Sequence, residues 1–142
     1  MTHDTKELVR RYYQDALGEG DLASLDELAT PDYNDHGAFP GQGPGLEGLK
    51  RRVSMLHDCL APRFAIEDVI SDGDRLVVRW TNSGTHVAEF MGIPPTNKSF
   101  SIAGIDIYRV AGGKLAEHWD VVDQLSMLQQ LGLIPTPEGA DA

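Results

Sequence analysis

Cysteine is nearly missing from this 142-residue chain: Cys59 stands alone, which excludes an internal disulfide and any zinc site built from several thiolates. It falls in an apolar-periodic region and reads as a buried or half-buried bystander. No apolar run approaches the ~20 residues that a membrane span needs, so no membrane partner is expected. The start Met1-Thr2-His3-Asp4 lacks a basic stretch followed by an apolar one, so no secretory signal is read there and a cytoplasmic location is the expectation. Basic residues are scarce as well. Twelve Lys and Arg against 22 Asp and Glu leave a net charge of -10, which argues against nucleic acid, whose phosphates demand a basic surface, and against an anionic membrane. A Gly-rich phosphate loop, a G-x-S-x-G elbow and an H-E-x-x-H pair are all absent, and no His or carboxylate falls at a recognisable ligand spacing. No metal is therefore expected.

What is present is the composition of a globular chain, 41% hydrophobic and 24% charged, long enough to bury a core as one domain over residues 1–142. Asp4 to Glu7 has capping-box spacing, and Leu8, Val9, Tyr12, Tyr13, Ala16 and Leu17 then recur at helical intervals up to Gly18. Asp21 can cap a short second helix carrying Leu22, Leu25 and Leu28, which Pro31 ends. Residues 33–45 read as a loop holding His36 and Phe39. Leu46, Leu49, Val53, Leu56 and Leu60 form the stripe of a third helix, with Lys50, Arg51 and Arg52 mostly away from it, and Pro62 stops it.

Strand signals dominate the second half. Residues 64–71 and 76–81 flank the hairpin pair Asp72-Gly73, residues 82–97 interrupt the pattern with Gly84, Gly92, Pro94 and Pro95, and residues 99–110 and 114–122 flank Gly112-Gly113. Asp123 then stands where a helix cap belongs, followed by Leu125, Leu128, Leu131 and the stop Gly132; the tail over residues 135–142 reads as frayed. Helices first, then a strand meander, then a short terminal helix is an α+β plan with helices over one face of an antiparallel sheet.

The last hairpin carries more ionisable groups than a two-faced ribbon needs, so one of its faces is expected to line a pocket. Alternation groups Glu117, Trp119 and Val121 on one face and His118, Asp120 and Val122 on the other. Asp106 and Tyr108 share a face of the preceding strand. Both faces mix apolar and charged residues, so alternation alone does not choose between them. A buried carboxylate needs a partner, and Arg79, Arg109, His86 and His118 are available. Asp123 reads both as a cap of the last helix and as a general base raised by an apolar pocket. His36 and His86 read as loop histidines bonded to backbone, Arg79 as an ion-pair partner, and Tyr12, Tyr13 and Trp119 as core aromatics or pocket walls.

Gly84-Thr85-His86, Phe90 to Lys98, Asp106 to Val110, Glu117-His118-Trp119-Asp120-Val121-Val122-Asp123 and Gln129-Gln130-Leu131-Gly132, with Asp35-His36 and Gly45-Leu46-Glu47-Gly48, together resemble the SnoaL-like polyketide cyclases. That family, also called the ester cyclases, belongs to the nuclear transport factor 2-like superfamily. The resemblance implies a cone-shaped barrel of strongly curved antiparallel sheet covered by three N-terminal helices, with a short C-terminal helix. It implies a dimer or tetramer assembled through the outer face of the sheet. It further implies an intramolecular aldol condensation on a hydrophobic carbonyl or aromatic polyketide-like compound, without metal or organic cofactor. Asp123 matches the family's proton-abstracting aspartate, His36 a family histidine, and Tyr108 a second polar position. His86, Arg79, Asp106 and Tyr13 are then expected to bind and orient substrate, with Trp119, Phe39, Phe90 and Met91 as apolar walls. On this reading Trp119 and Asp123 face the pocket, and His118 and Asp120 are set aside as catalysts. Related lyase or isomerase chemistry, a non-catalytic ligand-binding or assembly module, and a cofactor-free hydroxylase-like role are the alternatives.

Overall fold

A computed structural model describes residues 3–137, so the last part of the tail read as frayed lies outside the described residues. The first helix, α1 (His3–Arg10), runs straight into a π-helical segment (Arg11–Gly18). The wider π turns seat the adjacent Tyr12 and Tyr13 inside together, along with Ala16 and Leu17. A 3₁₀ turn (Leu22–Ser24) leads into α2 (Leu25–Leu28), and Asp21 caps it as expected, its carboxylate accepting from Ser24 N at 3.2 Å. The third helix, α3 (Gly45–Leu60), ends where Ala61 turns left-handed ahead of Pro62. Arg52, read as lying off the apolar stripe of this helix, is instead buried among Leu49 and Val53.

The strands are β1 (Ala29–Asp35), β2 (Phe64–Asp72), β3 (Arg75–Thr85), β4 (Ser99–Ala111) and β5 (Lys114–Val122), and α4 (Gln124–Gln130) follows them. They form one sheet in the order β1-β5-β4-β3-β2. The expected α+β plan is what the chain adopts, with one addition. β1 falls where a helix end and a loop were read, and it pairs with β5 in parallel, so the sheet is mixed and not wholly antiparallel. Pro31 is tolerated inside β1 because this strand is the edge of the sheet, where one side of the backbone has no neighbour to bond.

The inner face of the sheet alternates cleanly. Leu76, Val78 and Trp80 on β3, and Phe100, Ile102 and Tyr108 on β4, are buried in one hydrophobic core, and Asp106 is the charged residue buried on the same face. The β4–β5 hairpin turns on Gly112 and Gly113, whose φ of 59° and 78° suit the tight turn that matches strand twist. Three residues beyond Gly113 the ladder slips: Val110 pairs with Leu115 but Arg109 with Glu117, so Ala116 is an extra residue, a β-bulge. The slip places His118 opposite Tyr108 and Asp120 opposite Asp106.

Gly104 sits beneath the Trp80 indole, and a methyl group there would run into that ring. Gly104→Ala is expected to destabilise the fold by about 1–3 kcal/mol through overpacking, read as a lower guanidinium midpoint with the slope of the transition unchanged.

Candidate active site

Between the inner face of the sheet, the π-helical segment and α3 lies a cavity of about 290 Å³. Leu17, Leu56, Leu60, Phe64, Trp80 and Ile102 make much of its apolar wall. Two loops complete it: Phe39 from the segment after β1 and Phe90 from the segment after β3 meet edge to face, ring centroids 5.8 Å apart. Against this apolar lining stand Asp106, His118, Asp120 and Arg52.

The polar residues form a connected array. Buried His118 donates Nδ1–H to Asp35 Oδ1 at 2.8 Å and Nε2–H to Asp106 Oδ1 at 2.9 Å. Burial by itself lowers the pKa of this imidazole, but the two carboxylates outweigh it and raise the value to about 9, so the ring is a cation at neutral pH. The carboxylates respond in the opposite sense. Burial pushes Asp106 and Asp35 up, and the bonds to His118, with Tyr13 and Trp80 for Asp106 and Arg52 and Gln42 for Asp35, bring both below the ordinary carboxylate value. Asp106 Oδ2 accepts from Tyr13 OH and from Trp80 Nε1 at 2.8 Å. Since the Tyr13 proton is given to Asp106, Tyr108 OH is the donor in its 2.7 Å bond to Tyr13. Burial beside Asp106 pushes both phenols well up, so they remain donors.

Asp35 organises the loop that follows it. Its Oδ1 accepts from Gly37 N at 2.8 Å and its Oδ2 from Gln42 Nε2 at 2.9 Å. Arg52 reaches the same place from α3, donating Nη1–H to Gly37 O at 2.9 Å and Nη2–H to Asp120 Oδ2 at 3.1 Å, with Asp35 Oδ2 3.6 Å from Nη1. Its guanidinium lies over the Phe39 ring, 4.5 Å from the centroid. Asp120 packs so closely on Gly37 that a side chain at residue 37 would displace its carboxylate.

Asp106, His118 and Asp120 bring potential ligand atoms within 4.8 Å of one another. They are poorly suited to a cation, because both His118 nitrogens are spent on carboxylates and a metal requires a neutral imidazole with a free lone pair.

Of the residues singled out from sequence, the structure brings His36, Phe39, Phe90 and Asp106 to the cavity wall. His36 borders it with its ring turned outward, bonded to Glu117 at 2.6 Å and stacked on Trp119 at 4.8 Å. Tyr13 and Tyr108 stand one layer behind, supporting Asp106. The others lie elsewhere. Asp123, expected as the base, is exposed and caps α4, accepting from Ser126 N at 3.1 Å. Trp119 is on the outer face, where Arg75 covers its ring. Arg79 is exposed and paired with Asp68, Met91 is 52% exposed in a left-handed loop position, and His86 is buried apart from the cavity with Nδ1 accepting from Thr96 N. The extra residue at Ala116 puts His118 and Asp120, and not Trp119, on the Asp106 face of the sheet. Asp120, His118 and Arg52 are cavity groups that the sequence pattern did not mark as catalytic, and Asp35 stands behind them as their hydrogen-bonding support.

The fold and the site define an α+β protein whose curled sheet and helices enclose a small apolar cavity with an acidic and cationic floor. The chain belongs to the SnoaL-like polyketide cyclase family, whose pattern residues 7–131 match. It is 29% identical over 138 residues to the aklanonic acid methyl ester cyclase of Streptomyces sp. (strain C5), covering 94% of this chain and 85% of that one. To the nogalonic acid methyl ester cyclase of Streptomyces nogalater it is 27% identical over 120 residues, 82% of this chain and 90% of that one. Among solved structures, TsrD from Streptomyces laurentii superimposes with a TM-score of 0.85 at 29% identity, covering 94% of this chain and 99% of that chain.

The array makes stability depend on pH. His118 titrates near 9 in the folded chain against an ordinary 6.5, so its stabilisation is complete below about 6.5 and is lost as pH rises through about 9. Asp35 and Asp106 behave oppositely, stabilising above their ordinary 3.8 and failing on acidification. Denaturant titrations across pH are expected to give a maximum between the carboxylate and imidazole ranges and a decline towards pH 9. His118→Gln is expected to be less stable and to lose the alkaline decline.

Proposed function

We propose that this chain, as a single domain, closes a carbocyclic ring in a polyketide-like ester by intramolecular aldol addition, with Asp120 as the general base. One observation carries the assignment. Of the carboxylates around the cavity, Asp35 and Asp106 have both oxygens hydrogen-bonded, whereas Asp120 commits only Oδ2, to Arg52, and its Oδ1 accepts no hydrogen bond among the described residues. A base needs such a free lone pair facing substrate, and Asp120 lines the cavity. The family relation and the methyl ester cyclase relatives support the reaction class.

The step is balanced within the substrate and one side chain. Asp120 Oδ1 removes a proton from the carbon between two carbonyls, and the electron pair of that C–H bond passes to a carbonyl oxygen as an enolate. The enolate carbon then attacks a second carbonyl of the same molecule, forming the new C–C bond. The resulting alkoxide takes back the proton held by Asp120. No atom is gained or lost. A proton flanked by two carbonyls is already acidic, so one placed base worth about 10²–10⁴-fold is sufficient help. The apolar wall strengthens the electrostatics by excluding water. We place the activity in the cytoplasm, where a free thiol such as Cys59 stays reduced.

The same reading includes a homodimer through the outer face of the sheet. Ile105, Ile107 and Val121 are 43%, 38% and 77% exposed, and Ile105 faces Val121 across the β4–β5 ladder beside Ile107 and Trp119. The charges bordering this patch are largely neutralised in pairs, Arg79 with Asp68 and Arg109 with Glu117, so a second copy can approach despite the net charge of -10.

With aklanonic acid methyl ester as the probe, Asp120→Asn is expected to lower turnover by about 10²–10⁴-fold, while Asp123→Asn, which keeps a capping oxygen, retains it. The reverse pattern would return the base to Asp123. In sedimentation velocity the wild type is expected to run as a dimer and Val121→Lys as a monomer; a wild-type monomer at micromolar concentration removes the interface.

A further inference from the structure

We infer that Arg52 is a second catalytic residue, the cationic group that receives the enolate oxygen as Asp120 takes the proton. This rests on the assignment of Asp120 as base and extends it to the other end of the same reacting unit.

Arg52 is 8% exposed, on a helix stripe that otherwise buries Leu49 and Val53. A cation in such a place is retained only if it is paired. Its pairing is asymmetric. Nη1 is used for structure, bonded to Gly37 O and set against Asp35, while Nη2 gives one hydrogen to Asp120. The second Nη2 hydrogen and the Nε hydrogen meet no acceptor among the described residues, and the side chain lines the cavity. The Phe39 face, 4.5 Å away, fixes the plane of the guanidinium.

The α-hydrogen and the carbonyl oxygen of an enolisable group are neighbours, so a base and an oxyanion donor must stand side by side. Asp120 Oδ1 and the spare Arg52 hydrogens are so placed, because the two side chains are joined through Oδ2 at 3.1 Å. The charge balance also favours the role. When Asp120 accepts the proton, the buried guanidinium loses the nearer of its two anionic partners and keeps only Asp35, 3.6 Å from Nη1. The enolate oxygen supplies a new partner at the same moment, so the Nη2 side of Arg52 exchanges one anion for another. That is preorganised electrostatic stabilisation of charge that develops only along the reaction. The His118 cation cannot take this role, since both of its N–H groups are held by Asp35 and Asp106.

The test uses 2-naphthol, whose ionised form mimics an enolate and absorbs at longer wavelength than the neutral form. Asp120→Asn, mimicking the protonated base, is expected to bind naphtholate in preference to naphthol by about tenfold or more. Arg52→Met in that background is expected to lose the preference while still binding the neutral form. Naphtholate preference surviving in the Arg52→Met protein overturns the inference and leaves Asp120 as base. Failure of every variant to bind either form overturns the cavity assignment and this inference together. Should Arg52→Met not fold, Arg52→Lys in the otherwise native chain decides: turnover of aklanonic acid methyl ester is expected to lose kcat with KM little changed. A raised KM at unchanged kcat there overturns the inference, marking Arg52 as a substrate-binding group only.

Discussion

The structure depends on one buried proton, the one that makes His118 an imidazolium shared between Asp35 and Asp106. Its two bonds tie together three strands, β1 through Asp35, β5 through His118 itself and β4 through Asp106. From Asp106 the chain of bonds continues to Tyr13 in the π-helical segment and Trp80 on β3, and from Asp35 to Gln42 and the backbone of Gly37. Removing a single member would strand a buried charge, which costs several kcal/mol, so the array is held or lost largely as a unit. The parallel edge strand β1 has its reason here as well: it delivers Asp35 to the far side of the imidazole and starts the loop that carries Phe39 over the cavity.

The same array creates the division of labour in the site. With His118 on one oxygen of each, Tyr13 and Trp80 on the other oxygen of Asp106 and Gln42 on that of Asp35, neither carboxylate has an unengaged oxygen. Arg52 completes the coverage of Asp35 and extends to Asp120, leaving that last carboxylate half-engaged. Of these three carboxylates, Asp120 alone has an oxygen that accepts no hydrogen bond among the described residues, and it lines the cavity. The absence of a side chain at Gly37 is part of this arrangement, since it lets the loop backbone lie against Asp120 and accept from Arg52 at the same point.

Most of the fold was legible because it is written in local patterns. The helical stripe of α3, the caps at Asp21 and Asp123, the hairpin turns and the period-two strands all follow from spacing and turn chemistry within a few residues. β1 was less legible because Pro31 suggested a break, and only its position at the sheet edge makes that proline acceptable. The candidate site was half legible, and the reason is one residue. A two-residue turn continued without interruption would pair Asp106 with Trp119 and put Trp119 on its face. The extra residue at Ala116 moves the register by one, so Asp106 meets Asp120 and Tyr108 meets His118. Consecutive burial of Leu115 and Ala116 is the trace of that bulge, and a run of two small or apolar residues just past a hairpin turn is a weak signal by itself. Arg52 was missed for a different reason: a basic residue in a run of three looks solvated until an acidic partner from another element is placed beside it.

Those two misses point to the same physical conclusion. Residue type is a poor guide to role in this cavity, because the imidazole of His118, a side chain suited to acid–base work, is immobilised by its neighbours, and the guanidinium of Arg52, a side chain usual at the surface, is buried beside Asp120. Replacing a buried set of charges by apolar side chains of similar size is often neutral or stabilising, so stability alone gives no reason to keep Asp35, Asp106, Asp120, His118 and Arg52 inside one small core. What the set does provide is a carboxylate with a free oxygen and a guanidinium with free hydrogens, both fixed in place before substrate arrives. The burial cost of the array is therefore best understood as the cost of preorganisation, met by the apolar core that the same sheet and helices bury.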